Sequence, residues 1–501
     1  MSNIIHVRSQ PSLAAPEPSP HPVEYQISPP IVVDLDGTLI HTDMLHESAL
    51  WLLRDNPLHV LRIPCWLMSG KSVLKRKLAG DAQFHPASLP YNQPLLAWLR
   101  GQRVQGRKLI LCTASDQAIA HAISSHLGMF DEVMASDGKV NLAGRSKAEA
   151  LARRFGEGGF DYVGNSGADL AVWALARRAI VVNASDRIVD QARRQFEVEH
   201  VFPRAGRSLH ALARVLRVHQ WMKNLLLFVP LLASHQFAST SSWFPLALAF
   251  ISFSLCASTI YILNDLLDLE NDRQHPRKRS RPFASGLVPA WMGVALAPLL
   301  LLISLLLGVR VGGGFLPWLL FYVAVTCAYS WWLKRLILVD CLTLAMLYTL
   351  RIVAGAAAAG IALSFWLLAF SVFLFLSLAF VKRYAELQSQ ILGGKSVVHG
   401  RGYLSTDAPL VQMLGITSGY AAVVVLSLYL NSAAVLALYR APEIIWGAVP
   451  VILFWISWTW MQAHRGSMHD DPLVFAMRDR ASLFAGLLFG AILALGALAP
   501  W

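Results

Sequence analysis

Two groups of carboxylates stand out by residue type and spacing. Asp34-Leu35-Asp36-Gly37-Thr38 follows the apolar run Ile31-Val32-Val33. Carboxylates at i and i+2 project from the same side of an extended strand end, and Gly37 permits a tight turn after them. One can attack phosphorus while the other handles the leaving-group proton, with Mg2+ offsetting the charge of phosphate and nucleophile. A solvated turn at a strand end is the plainer explanation of such a pair, so its partners matter. The second group is Asn264-Asp265-Leu266-Leu267-Asp268-Leu269-Glu270-Asn271-Asp272. On a helix Asp265, Asp268 and Asp272 fall within about 60° of one another over about 10 Å of axis. Aligned carboxylates repel one another, and Mg2+ bridging them to a diphosphate would account for their presence. The cations Arg273, Arg277, Lys278, Arg279 and Arg281 adjoin them.

Further groups fit anionic ligands. Leu109-Ile110-Leu111-Cys112 leads into Thr113-Ala114-Ser115, a hydroxyl donor for a phosphate oxygen. Lys147 lies in a helical stretch, and Gly164-Asn165-Ser166-Gly167-Ala168-Asp169 follows another short apolar run. Lys382-Arg383-Tyr384-Ala385-Glu386 sets two cations against a single carboxylate one helical turn from Lys382, which suits direct charge-assisted binding of a phosphate monoester better than a metal cluster. Arg351 follows Asp340 by 11 residues, on nearly the same helical face but about 16 Å along, too far to pair directly. A buried intramembrane charge is functional by default, and an ion pair with another helix is its alternative. Lys223, Asn224, Tyr329 and Lys334 sit at the ends of apolar segments, where interfacial anchoring explains them equally well. His219, His275 and His399 form no zinc spacing, and the 5 cysteines include no C-x-x-C pair.

The elements that must position these groups follow from composition and patterning. The 501 residues are 55% hydrophobic and 15% charged, with a mean hydropathy of +0.47, too apolar for an ordinary soluble chain. Residues 1–29 are rich in proline without an apolar core and read as a disordered arm. From 30 to 201, short β-branched runs alternate with helical stretches, the pattern of an α/β domain with a parallel sheet. A helical insert at about 42–107 would form a cap over the carboxyl edge of that sheet, and 202–215 would be a linker. From 216 to 501, apolar segments near 222–237, 242–263, 289–309, 314–333, 336–359, 362–381, 410–430, 443–462 and 481–500 approach the roughly 20 residues that span a bilayer. Nine spans are expected. The intervals holding Arg273 to Arg281, Lys334-Arg335, Lys382 to Arg401 and Arg465 to Arg480 are basic, which places them, Lys223 and the soluble domain on the cytoplasmic side and Trp501 outside. The net charge of +12 therefore belongs to membrane topology and anionic ligands, and nucleic acid is not expected.

In their order, Asp34 and Asp36, Thr113, Lys147, and Asn165 with Asp169 resemble the four motifs of the haloacid dehalogenase superfamily. That resemblance implies a Rossmann-type phosphatase domain in which Asp34 is the nucleophile, Asp36 the acid/base, Thr113 and Lys147 phosphate binders, and Asp34, Asp36, Asn165 and Asp169 the magnesium site. Asn165 stands where good phosphatases of that superfamily usually have Asp, so one negative charge near the metal is missing. The N-D-x-x-D-x-x-x-D pattern resembles the UbiA-type intramembrane prenyltransferases. His219 to Asn224, Asn264 to Arg281, Tyr329 to Lys334 and Lys382 to Leu387 together resemble the decaprenyl-phosphate phosphoribosyltransferase family.

The resemblance implies an all-α transmembrane transferase that moves 5-phosphoribose from phosphoribosyl pyrophosphate to a polyprenyl phosphate in the inner membrane, for envelope glycan assembly. Asp265, Asp268 and Asp272 would hold Mg2+ against the leaving diphosphate. Lys223, Asn224, Asn264, Lys278, Arg281, Tyr329, Lys334, Arg351, Lys382, Arg383 and Glu386 would bind substrate. The soluble half would then remove the 5-phosphate of the lipid product. The alternative is a prenyltransferase that attaches an isoprenyl chain to an aromatic acceptor, with the soluble half a catalytically silent regulatory module. Lipid length and homo-oligomerisation stay open.

Overall fold

The computed structural model describes residues 28–55, 66, 68, 76–78, 85–137, 141–204, 209–234, 240–392, 402–436, 439–468 and 471–498. Residues 1–27 of the expected arm, most of the insert between 56 and 84, and the basic stretch 393–401 lie outside them. The chain divides into two compact units, Met1–Leu39 with Asn92–Arg204, and Ile40–Tyr91 with Ala205–Trp501.

The first unit is built on six parallel strands: β1 (Ile31–Val33), β2 (Leu109–Asp116), β3 (Glu132–Ser136), β4 (Asp161–Gly164), β5 (Arg178–Val182) and β6 (Val198–Phe202). Their order is β3-β2-β1-β4-β5-β6. Ile31, Val32, Val33, Ile180, Val181 and Val182 are fully buried, as continuous apolar runs must be when both sheet faces are covered. Parallel neighbours need crossover connections, supplied by helices at Gln93–Val104, Gln117–Leu127, Arg145–Phe155 and Asp186–Gln195. Asn92 caps the first of these by accepting from Leu95 N, Asp116 caps the second by accepting from Ala118 N, and Gly128 ends the second at φ 60°. Strand order reverses at β1, so the crevice beyond its carboxyl end is the place for a ligand. The register pairs Val33 with Leu111 on one side and Val163 on the other. It thereby delivers Asp34, Thr113 and Asn165 to the same sheet edge.

In the second unit the insert contributes α1 (Met44–Asp55), and its partly buried Leu50 packs against a core cluster that includes Leu266, Leu269 and Phe283. The expected cap is thus divided: its first part belongs to the unit of the apolar helices, while residues 92–107 belong to the sheet. The helices that follow are α2 (Thr240–Leu267), α3 (Leu269–Gln274), α4 (Ala290–Val311), α5 (Phe315–Trp331), α6 (Val339–Ala359), α7 (Phe365–Leu392), α8 (Ala408–Leu430), α9 (Ala448–His464) and α10 (Arg480–Leu498). Among the described residues seven are long and apolar enough to cross a membrane, and α5, with 17 residues, is a shorter eighth. The sequence led us to expect nine. The difference lies at 222–237, where a 3-10 segment, Val218–Phe228, is followed by a short helix, Val229–Ala233, with Pro230 in its first turn. Lys223 and Asn224 inside that segment are held by tertiary partners, which override its local hydropathy. Close packing relies on small residues: a Cβ on Gly355 of α6 would lie 2.0 Å from the Leu227 carbonyl oxygen, and one on Gly415 of α8 would lie 2.1 Å from the Trp460 ring.

Candidate functional site

At the sheet edge of the first unit, Asp34 follows β1 directly and is almost buried. Its Oδ1 accepts from Lys147 Nζ at 2.6 Å, and its Oδ2 accepts from Thr38 at 3.3 Å. Burial raises the Asp34 carboxyl above its ordinary range against the pull of Lys147. Burial likewise disfavours the Lys147 ammonium, but the adjacent Asp34 outweighs it and raises the lysine. Asp36 Oδ2 accepts from Ser115 Oγ at 2.7 Å and from Thr113 Oγ1 at 3.5 Å. Gly37 has φ 73°, and a Cβ there would meet the Asn165 amide nitrogen at 2.1 Å, so the loop after β4 lies against the loop after β1. Asp34, Asp36 and Asn165 offer the hard oxygen donors that Mg2+ takes. Asp169 is engaged differently. Its Oδ1 accepts from Tyr162 OH, and its Oδ2 accepts from Asn165 N, Ser166 N and Ser166 Oγ at 2.8 to 3.0 Å. It clamps the turn that presents Asn165, and Tyr162 links it to Lys147, whose Nζ donates to the phenol oxygen at 3.0 Å.

In the second unit the acidic motif does not form one unbroken helix. α2 ends at Leu267 and α3 begins at Leu269, with Asp268 between them at φ −91°, ψ 10°. The break falls where Asp and Asn, modest helix formers, interrupt the apolar run, and Pro276 lies just beyond. The i→i−4 bonds Asp268 N to Asn264 O and Asp272 N to Asp268 O carry the helical phase across. Asp265 and Asp272 are buried and converge on Arg281 Nη1, which donates to both, at 3.1 Å to Asp265 Oδ1. Arg217 donates to Asp265 and stacks on the Tyr261 ring, and Lys278 lies 3.9 Å from Asp272. Asp268 is half-buried and makes no side-chain ion pair among the described residues, so two carboxylates meet where three were expected, and no cluster of three metal-type donors is found among those residues. One cationic nitrogen held between two buried carboxylates shows that the pair can share a cation, and its oxygen chemistry suits Mg2+. Burial raises the Asp272 carboxyl, opposed by Arg281.

A second cluster is cationic. Lys223 Nζ donates to Asp471 Oδ2 at 2.7 Å, Lys382 Nζ lies 3.6 Å from the same oxygen, and Tyr348 OH donates to it at 3.1 Å. Burial would raise the Asp471 carboxyl, but Lys223 and Lys382 hold it well below the usual range. Arg351 is 4% exposed. Its Nε donates to Asn224 Oδ1 at 2.9 Å and its Nη2 to Tyr322 OH at 3.2 Å. Its guanidinium lies 5.1 to 5.5 Å from the ring centres of Phe253, Tyr322 and Tyr348. Among the described residues it pairs with no carboxylate, so the expected alternative of an interhelical ion pair is not what surrounds it.

Arg383 is placed otherwise than expected. Its side chain is fully buried and pairs with Asp340 at 2.5 Å and with Glu386, while Tyr403 OH donates to Asp340 Oδ1 at 2.7 Å. Two carboxylates of its own unit pair with it, and the pair with Asp340 joins α6 to α7; adjacency in sequence to Lys382 points the two side chains about 100° apart on the helix. Tyr329 interacts electrostatically with Arg383. Lys334 is half-buried in the turn after α5, and Asn264 is half-buried at the end of α2. Sequence reasoning missed Arg217, Tyr348 and Asp471. The carboxylate pair Asp470-Asp471 directly before Pro472 was the available signal for Asp471.

The model of the UbiA prenyltransferase family matches residues 226–487. Uncharacterized protein y4nM of Sinorhizobium fredii is 38% identical, over 92% of this chain and 90% of its own length. Decaprenyl-phosphate phosphoribosyltransferase of Mycolicibacterium smegmatis is 33% identical, over 56% of this chain and 92% of its own length. A solved substrate-bound phosphoserine phosphatase complex is similar to the chain with a TM-score of 0.26 and 16% identity, covering 37% of this chain and 96% of that one.

Proposed function

Because the chain belongs to the UbiA prenyltransferase family, we propose that its multi-pass membrane unit is a transferase that moves 5-phosphoribose from phosphoribosyl pyrophosphate to a polyprenyl phosphate. The observation that carries this reading is a pair of differently charged clusters in one unit: Asp265 and Asp272 converging on one cation, and Lys223, Lys382 and Arg351 gathered about Tyr348 and Asp471. The first suits a metal-bound diphosphate and the second a phosphate monoester held directly by cations. The identity to decaprenyl-phosphate phosphoribosyltransferase supports the same division.

In the proposed reaction an oxygen of the lipid phosphate forms a bond to the anomeric carbon, and the bond from that carbon to the diphosphate oxygen breaks. Diphosphate leaves with the electron pair. The nucleophile is already anionic, so no protein base is needed. Arg217 and Arg281, which hold Asp265 and Asp272, stand ready to take diphosphate oxygens; Lys223, Lys382 and Arg351 fix the attacking phosphate. In the first unit Asp34 attacks the 5-phosphate of the lipid product, and Asp36 protonates the departing C5 oxygen. Water then releases phosphate from Asp34, giving its proton to Asp36. Mg2+ bound at either site would supply charge compensation for the phosphoryl oxygens. In this reading both sites belong to the cytoplasmic side of the inner membrane, which the basic intervals support.

The test is to incubate the purified full-length chain and Mg2+ with ribose-labelled phosphoribosyl pyrophosphate and a polyprenyl phosphate. Label should enter the lipid fraction with the wild type, and should fall by at least about a hundredfold with Asp265→Asn, in line with the loss of one transition-state electrostatic group. Absence of label from the lipid with the wild type removes the reading. A silent, ligand-sensing soluble half is the second reading, favoured by the uncharged Asn165 and by an Asp169 whose oxygens are taken up by protein donors.

A further inference from the structure

Asp471 lies between α9 and α10, far in sequence from every other member of the cationic seat. Its side chain is 8% exposed. It accepts from Lys223 at 2.7 Å, from Tyr348 at 3.1 Å and from Leu473 N at 3.2 Å, and stands 3.6 Å from Lys382. Lys223 and Arg351 lie against the same Tyr348 ring, 5.7 and 5.5 Å from its centre, so the carboxylate borders the whole cationic group. The pull of both lysines keeps it ionised through the neutral range. This carboxylate is as buried as the Lys223 with which it pairs. It subtracts one unit of positive charge at the point where two lysines meet.

We propose that Asp471 is a specificity-determining residue that sets the charge of the lipid seat so that a phosphate monoester is preferred over a diphosphate ester. This deepens the proposed function and rests on its assignment of Lys223, Lys382 and Arg351 to the lipid headgroup. A phosphate monoester carries about 1.5 to 2 negative charges at pH 7, and the diphosphate of the same lipid carries about one more. Each extra negative charge gains attraction to the lysines and meets repulsion from Asp471. In a seat of low dielectric such a term amounts to a tenfold change or more. Asp471 penalises the more highly charged lipid more, and this tilts the choice.

Asn is the discriminating replacement. It caps a helix as well as Asp does, so it preserves the bond to Leu473 N at the start of the short helix Pro472–Ala476, and it can still accept from Tyr348. The charge is lost, and with it the oxygen that accepts from Lys223. With the full-length chain in lipid nanodiscs, displacement of a radiolabelled polyprenyl phosphate by unlabelled polyprenyl phosphate and by polyprenyl diphosphate of equal chain length gives the ratio of the two affinities. Asp471→Asn should shift that ratio toward the diphosphate by about tenfold, and Asp471→Glu should leave it within about twofold of wild type. A merely structural Asp471 would lower thermal stability and leave the ratio unchanged; that result overturns the inference. Should Asp471→Asn fail to fold, Asp471→Ser, which also caps, carries the same expectation. Wild-type protein that prefers the monophosphate yet never moves label from phosphoribosyl pyrophosphate into lipid would sink the transferase reading while leaving the Asp471 assignment standing on its binding ratio. Wild-type protein that prefers the diphosphate would overturn both.

Discussion

Arg351 keeps a full charge in a nearly buried setting, with Asn224 and Tyr322 as neutral partners and three aromatic rings around it. Guanidinium does not deprotonate in proteins, and burying it uncompensated is costly, so a ligand anion is the economical counter-charge. Arg351→Gln should raise the KM for polyprenyl phosphate by about one to two orders of magnitude, the loss of one charge-assisted contact, with KM for phosphoribosyl pyrophosphate nearly unchanged; steady-state kinetics with each substrate varied in turn would check this. Asp471 gives a pH expectation with a definite sign. Its folded pKa is depressed, so its stabilisation is present above the unfolded value near 3.9 and is lost only as pH falls through the lower folded value. The difference in thermal midpoint between wild type and Asp471→Asn should therefore be constant from about pH 5 to 8, as scanning fluorimetry would read. At this scale the sequence was informative about charge type and silent about partners. Lys382 and Arg383 are adjacent and chemically alike, yet one faces Asp471 and the other is enclosed by Asp340 and Glu386.

The elements show how a short segment can matter more than a long one. α1 brings Glu47, fully buried, to Arg273, next to Asp272: Glu47 Oε1 and Oε2 accept from the guanidinium at 2.7 and 3.1 Å, and Thr42 Oγ1 donates to Oε1 at 2.7 Å. Removing one partner of such a pair leaves a buried charge uncompensated, at a cost of about 3 to 5 kcal/mol. Glu47→Ala should accordingly lower the thermal midpoint and raise the KM for phosphoribosyl pyrophosphate, as scanning fluorimetry and steady-state kinetics would read. The 3-10 segment Val218–Phe228 depends on Gly355, because any side chain there would run into the Leu227 backbone. Gly355→Ala should push Lys223 and Asn224 out of place and reduce transfer to the lipid, measurable in the same radiolabel assay. Hydropathy marked most of the apolar helices, while the described part of 222–237 holds a 3-10 segment and a short helix, since a window of apolar residues does not record the rise of the backbone that carries it. The i, i+3, i+7 spacing of the three aspartates was sound helical arithmetic, but the break at Asp268 left two of them sharing a cation.

For the whole molecule, the chain folds into two compact units; under the proposed function, two chemistries on one chain would keep a lipid-anchored intermediate near its second enzyme at high effective concentration. If the soluble half acts on the transferase product, Asp34→Asn should leave transfer of ribose label to lipid intact while the lipid keeps its 5-phosphate, which mass spectrometry of the lipid fraction would show; loss of the 5-phosphate in that variant would assign the step elsewhere. The α/β pattern of 30–201, the D-x-D loop at the end of β1 and the membrane character of the second half were all fixed by local sequence, because strand burial, a tight turn after a strand and transfer into lipid depend on residues a few positions apart. Which carboxylate meets which cation was decided only by the tertiary structure. Lys223 and Asp471 are 248 positions apart, and Glu47 and Arg273 are 226 apart. A charge pair that forms through packing leaves no periodicity in the chain, and only the folded core brings its members within reach.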